Sequence, residues 1–260
     1  MFARSIGLLV TLVTAVACGR LGFEPARAAS DGALPPNHDE DGDGRSDDDD
    51  NCPWISNAAQ TDADGDRVGD PCDPSNTARH RISLFAPLTL GSNPFQRADA
   101  GWTPSDDAWS CNSDVFAELL IATPLGESRI TYGAVLDARL TDTHAISIRP
   151  MTTLTPSYFF EMFDSGTTDV QLVHTTPGPI YTVVETVPVE AGFPLGAVTA
   201  SLDISDTATT PRMTGEVVVG PNSYSVSELT PDFVPTALLG LSCWGLQMRL
   251  NYVAVVTQIN

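Results

Sequence analysis

The chain has 260 residues, 33 acidic against 13 basic side chains, and a formal net charge of −20. That length admits one large domain or two smaller ones, and a hydrophobic fraction of 42% is enough for a core. The charge argues against nucleic acid, whose phosphates need Lys and Arg, and against electrostatic docking on anionic lipid. It is also uneven: fourteen acidic and two basic residues fall between Asp31 and Asp73. Divalent cations are the natural partners of such density.

The first element is a targeting segment. Arg4 precedes an apolar run from Ile6 to Ala17, too short to span a bilayer as a helix. Small residues then lead into Cys18, and "AVAC" resembles a bacterial lipobox. The resemblance implies a signal peptide over 1–17, cleavage before Cys18, and lipid on its sulfur. An ordinary secretory signal with an incidental Cys is the alternative. Gly19, where an Asp would imply inner-membrane retention, favours an outer-membrane lipoprotein facing the periplasm or the cell surface. Residues 18–37, rich in Ala, Gly and Pro, are expected to form a flexible tether.

Five cysteines are an odd number for an exported chain. With Cys18 lipidated, four remain. These permit three connectivities, and context favours Cys52 with Cys72 and Cys111 with Cys243. The first pair falls inside the acidic stretch and the second inside the apolar C-terminal part.

Residues 38–74 form an acidic module. In "DEDGDGRSDDDD", carboxylates stand at loop positions 1, 3, 5, 9 and 12: Asp39, Asp41, Asp43, Asp47 and Asp50. Gly44 is at position 6, and Arg45 offers its carbonyl at position 7. This is the ligand spacing of an EF-hand loop, without flanking helical patterns. "DADGDRVGDPCD" repeats it with Asp62, Asp64, Asp66, Asp70 and Asp73, and with Val68 for the carbonyl. Position 6 is now Arg67; if that position needs a positive φ, Arg carries a conformational cost there. A solvated acidic linker is the competing reading. The two loops, the Cys positions and the spacer residues Asn51, Pro53, Asn57 and Gln60 resemble the thrombospondin type 3 repeat. The resemblance implies Ca2+ as cofactor, the ten Asp residues as ligands, and Cys52 and Cys72 as a staple. Such a module orders around its ions, so metal-free it is expected to be disordered.

Residues 75–80 read as a polar joint, and 81–260 as a β domain. Segments 129–140, 144–150, 157–164, 170–175, 180–189, 197–205, 212–220 and 244–259 are rich in Val, Ile, Thr, Tyr or Phe, and several alternate. Segment 113–123 fits a short helix or a strand. Many short strands between turn signals predict an antiparallel β-sandwich or jelly roll. "AGWTPSDDAWSCNSD" and the closing "CWGLQMRLNYVAVVTQI" resemble the concanavalin A-like (laminin-G-like) jelly roll. That implies a glycan or protein ligand, or in some relatives polysaccharide hydrolysis.

No catalytic motif stands out. The four His show no paired-ligand spacing, and Glu161 and Asp164 on one strand would face opposite sides, reading as edge charges. Trp102 and Trp109, among Asp, Ser and Pro, are candidates for stacking on sugar rings, whereas Trp244, beside Cys243, reads as core. The expected protein is therefore a non-catalytic, calcium-binding envelope lipoprotein. Its acidic stalk would hold a β-sandwich away from the membrane for adhesion or ligand binding. A hydrolase of the same fold or a purely structural protein are the alternatives.

Overall fold

The computed structural model describes residues 37–259 apart from 90, 91, 106, 153, 154, 157, 177–179, 206–208, 232 and 235. The expected signal peptide, Cys18 and nearly all of the tether lie outside the described residues.

The chain first forms an irregular module whose one regular element is a 3-10 turn, Asp47–Asp49. Sixteen strands follow among the described residues. They are β1 (His80–Pro87), β2 (Phe95–Ala98), β3 (Trp102–Pro104), β4 (Trp109–Ser113), β5 (Ala117–Leu125), β6 (Ser128–Arg139), β7 (His144–Thr152) and β8 (Thr155–Pro156). Then come β9 (Tyr158–Asp164), β10 (Thr168–Thr176), β11 (Ile180–Pro188), β12 (Gly196–Ser205), β13 (Arg212–Val219), β14 (Asn222–Leu229), β15 (Thr236–Trp244) and β16 (Leu246–Gln258). One sheet runs β14-β13-β12-β6-β16-β4-β3, with β1 also on β16; the other runs β11-β10-β9-β7-β15-β5-β2, with β8 on β7. The pairings among described residues are antiparallel. The result is the expected two-sheet sandwich.

Alternation places the core between the sheets. On β12, Val198, Ala200, Leu202 and Ile204 point inward, while Thr199, Ser201 and Asp203 stay half-exposed. They share one core with Phe160 and Met162 of β9 in the opposite sheet. Contact is close where Gly215 of β13 meets the Phe160 ring: a Cβ there would lie 2.0 Å from a ring carbon. Cys111 of β4 and Cys243 of β15 form a disulfide between the two sheets, and Cys52 and Cys72 form one within the module.

Segment 113–123, which fits a helix or a strand, lies largely in strand β5. Three expectations change. The closing segment 244–259 spans two strands, because Gly245, at φ 63°, turns the chain between β15 and β16. The acidic module is not a detached stalk. Cys52, Trp54, Val68 and Cys72 pack with Ala254 and Val256 of β16, joined by Ile55, Ile82, Phe85 and Tyr252. Trp54 stacks on Phe85, ring centroids 5.8 Å apart. This explains why "YVAVVT" is continuously apolar: Val253 and Val255 face the sandwich core, while Ala254 and Val256 face the module. Nor is 75–80 a free joint, since His80 opens β1 and closes the second acidic loop.

Candidate functional site

The two acidic loops are superposable in their bonding, with a period of twenty-three residues. In the first, Asp39 Oδ1 accepts the N–H groups of Gly42 (2.9 Å) and Asp43 (3.2 Å), and Oδ2 accepts that of Gly44 (2.9 Å). In the second, Asp62 accepts those of Gly65 (2.8 Å) and Arg67 (3.0 Å). Asp41 and Asp64 each take the N–H two residues on, as do Asp43 and Asp66. Asp47 Oδ1 binds the Glu40 N–H at 3.0 Å, and Asp70 Oδ1 binds that of Ala63 at 2.8 Å. Each loop is thus a ring of carboxylates tied to its own backbone. The local sequence dictates this, because Asp side chains bond readily to nearby N–H groups.

Asp39, Asp41 and Asp43 bring ligand oxygens within 4.8 Å of one another, as do Asp62, Asp64 and Asp66. At position 3 of both loops, one carboxylate oxygen is buried without a hydrogen-bond partner: Oδ2 of Asp41 and Oδ2 of Asp64. An orphaned, buried carboxylate oxygen is costly unless a cation satisfies it. Burial, reinforced by neighbouring carboxylates, pushes Asp41 up to about 6, and burial pushes Glu40 up to about 7. The donor set is all oxygen, which suits a hard dication such as Ca2+. Position 12 is less regular. Asp50 Oδ1 is held by the Cys52 N–H (2.7 Å) and by Gln60 Nε2 (2.8 Å), and Asp73 lies against His80.

Gly42, Gly44 and Gly65 adopt positive φ, and so does Arg67, at 82° against 91° for Gly44. The strain expected at position 6 of the second loop is therefore present. Arg67 is exposed, so Arg67→Gly should stabilise the second loop by about 1 kcal/mol, read as tighter metal binding in calorimetry.

A second feature lies on the outer face of the other sheet. A groove of about 700 Å³ is lined by Phe116, Arg149, Phe159, Glu161, Gln171, Tyr181, Ser242 and Trp244, among others. Phe116 (44% exposed), Tyr181 (60%) and Trp244 (38%) present their rings to solvent. The Arg149 guanidinium lies 4.2 Å from the Phe159 ring centroid and 5.1 Å from that of Phe116. It also faces Glu118, with Nε 3.6 Å from Oε1, and Arg97 Nη2 donates to Oε2 of the same carboxylate at 3.2 Å. Gln171 Nε2 donates to Glu161 Oε1 at 2.8 Å.

Burial pushes the Glu161 carboxyl up to about 7, against the smaller opposing effects of Gln171 and Arg149. A raised folded-state pKa means stability that is full at low pH and lost as pH rises from about 4.5 to about 7. Glu161→Gln should remove that loss, raising stability at pH 8 by about 2 kcal/mol with little change at pH 4, measured by urea unfolding.

The stacking platform expected at Trp102 and Trp109 is not there. Both are in the core, 5% and 6% exposed, and Trp109 donates its indole N–H to the Ser92 carbonyl at 3.1 Å. Trp102 and Cys111 are register partners, and Trp109 lies two residues from Cys111. They therefore share the inward face of the disulfide. Trp244 shows the converse. Cys243 points inward, so its neighbour must point outward, a strand-parity signal available in the sequence. Glu161 is likewise no edge charge but part of the groove, and Asp164, on the opposite parity, lies apart from it, accepting the Gly166 N–H at 2.9 Å.

Comparison with known proteins places these features. Residues 37–60 match the thrombospondin type 3 repeat family, and the match stops short of the second loop. No curated protein matches the chain. Among solved structures, the CBM2 module of the Lactobacillus casei BL23 phage J-1 evolved Dit is similar at a TM-score of 0.53 and 6% identity, covering 70% of this chain and 98% of that one. The lumenal domain of VIP36, in a Ca2+/Man3GlcNAc-bound form, gives 0.52 and 7%, covering 70% and 91%. Winged bean acidic lectin, complexed with methyl-α-D-galactose, gives 0.50 and 6%, covering 70% and 100%. At such identities the likeness is one of fold: the sandwich is a concanavalin A-like jelly roll.

Proposed function

We propose that this is a calcium-stabilised, non-catalytic carbohydrate-binding protein of the bacterial envelope, exported and held at the outer membrane by lipid on Cys18. The observation that carries the binding reading is the sheet groove. Phe116, Tyr181 and Trp244 offer ring faces on which a pyranose can stack, and Arg149, Glu161 and Gln171 offer polar groups for its hydroxyls. The proteins of like fold include two solved with a galactoside and a mannose-containing glycan, which supports a sugar as the ligand class. The calcium reading is supported by the type 3 repeat match and by the paired orphaned oxygens of Asp41 and Asp64. Ca2+ would be held by the carboxylates of the two loops, with the Arg45 and Val68 carbonyls completing the sets.

A glycan array probed with the full exported chain, with Ca2+ and with chelator, tests the function. Binding to a defined group of glycans supports it. Silence across neutral and acidic glycans would remove it in favour of a protein ligand or a purely structural role. Release of reducing ends from the bound glycans would instead favour a hydrolase, with Glu161 as its acid. The anchor is tested separately: Cys18→Ser should abolish incorporation of labelled fatty acid.

A further inference from the structure

We propose that Asp66, Asp73 and His80 form a mixed nitrogen and oxygen metal site that takes a divalent transition ion of the Zn2+ class. It would differ in chemistry from the all-oxygen first loop. The three residues bring one ligand atom each within 4.8 Å of the others. His80 and Asp73 are 3% and 7% exposed, so this is an interior cluster. His80 Nδ1 lies 2.7 Å from Asp73 Oδ1, yet it is buried without a hydrogen-bond partner, because the contact lacks the in-line geometry of a hydrogen bond. Two ligands sharing a metal at about 2.0–2.2 Å each sit roughly 3 Å apart without pointing at one another.

The internal repeat sharpens this. His80 stands twenty-three residues after Asn57. The Asn57 N–H donates to Asp43 Oδ2 at 2.8 Å, and the His80 N–H donates to Asp66 Oδ2 in the same way. The Asn57 side-chain amide lies 3.2 Å from Asp43 Oδ2 and from Asp50 Oδ1, and with the amide turned over its nitrogen donates to both. At the same place in the second loop stands an imidazole. An amide nitrogen can only donate, whereas neutral imidazole offers a lone pair. Imidazole with carboxylate suits Zn2+ and its neighbours, and carboxylate with carbonyl suits Ca2+. One replacement thus adds to the second loop a site whose ion preference differs from that of its own all-oxygen set, Asp62, Asp64 and Asp66. Arg67 at position 6 and the end of the family match at residue 60 also set the second loop apart.

The inference rests on the reading of the loops as metal sites, and the test separates the two. Full-length protein is titrated calorimetrically with Zn2+ and, separately, with Ca2+; Co2+ absorption reports nitrogen ligation. The variants are His80→Asn, which restores the residue type of the first loop, and Asp41→Ala, which disables the first loop. Wild type should take up Zn2+ with an affinity that His80→Asn lowers at least ~10-fold while Ca2+ binding persists. Asp41→Ala should lose Ca2+ at the first loop and keep Zn2+. Equal Zn2+ affinity in wild type and His80→Asn would overturn the proposal, leaving His80 as a donor to Asp73. Zn2+ binding that depends on His80, with no Ca2+ uptake at all, would sink the calcium reading alone.

Discussion

Replacing Asp39 by Ala should abolish calcium binding at the first loop and release the module from the sandwich. Asp39 accepts three backbone N–H groups, from Gly42, Asp43 and Gly44. Its loss leaves three donors unsatisfied and takes a charge from the ion. Bonds to a charged acceptor are worth about 1.5–3 kcal/mol each, so a loss of at least ~100-fold in Ca2+ affinity is expected even if water replaces part of the set. Chelation of the wild type should act in the same direction. The module is held to β16 and β1 by Trp54, Val68 and the Cys52–Cys72 disulfide. Without ions, repulsion among the carboxylates opposes that apolar contact. Trp54, 6% exposed and stacked on Phe85, then becomes solvated, so tryptophan emission should shift to the red and return with Ca2+. Calcium also competes with protons. Burial pushes metal-free Asp41 up to about 6, so affinity should fall as pH is lowered through that value. A merely solvated acidic linker would show neither the spectral change nor the pH dependence.

How much of this was legible in the sequence depends on how far each determinant reaches. The first loop was legible because its bonds are local: Asp39 binds N–H groups three to five residues on, so spacing alone encodes the ring. The strain at Arg67 was legible for the same reason, by comparison with Gly44. The role of His80 was not, since it closes the second loop from the first residue of a β-strand. The twenty-three-residue period carried as far as Asn57 would have shown it. Strands β3 and β4 were missed because "WTP" and "WSCNS" are only three and five residues long and are broken by Pro, Ser and Asn; pairing of β4 to β16 and of β3 to β4 holds them extended. The run "YVAVVT" signalled burial on both faces but could not say that the second cover is the acidic module. The groove failed for a different reason. Its aromatic residues come from the turn before β5 and from β9, β11 and β15, scattered over about 130 residues, and only strand parity could have sorted Trp244 from Trp102 and Trp109.

The groove's largest expected effect belongs to Arg149. Its guanidinium is sandwiched between Phe116 and Phe159 and faces Glu118, which is 4% exposed. Arg149→Ala should therefore cost glycan affinity at least ~100-fold and stability as well. Removing Arg149 leaves the buried Glu118 carboxylate with Arg97 alone of its two cations, a cost of about 1–3 kcal/mol, and the Phe116 ring loses its support. Burial already holds the Glu118 carboxyl above its usual range despite the opposing charges of Arg149 and Arg97. Deleting Arg149 pushes it further in the same direction. Two variants separate binding from folding. Adding Glu118→Gln to Arg149→Met replaces the stranded charge with a neutral amide and keeps an unbranched stem beneath the rings, so stability should largely recover while glycan binding should not. Trp244→Ala removes a ring that is 38% exposed, so its stability cost should stay within about 2 kcal/mol. If the ring stacks on sugar, affinity should still fall ~10-fold, the worth of a good aromatic contact. Glycan binding that survives both Trp244→Ala and the Arg149→Met/Glu118→Gln pair would place the ligand elsewhere, and the groove would then be only the outer surface of a well-packed sheet.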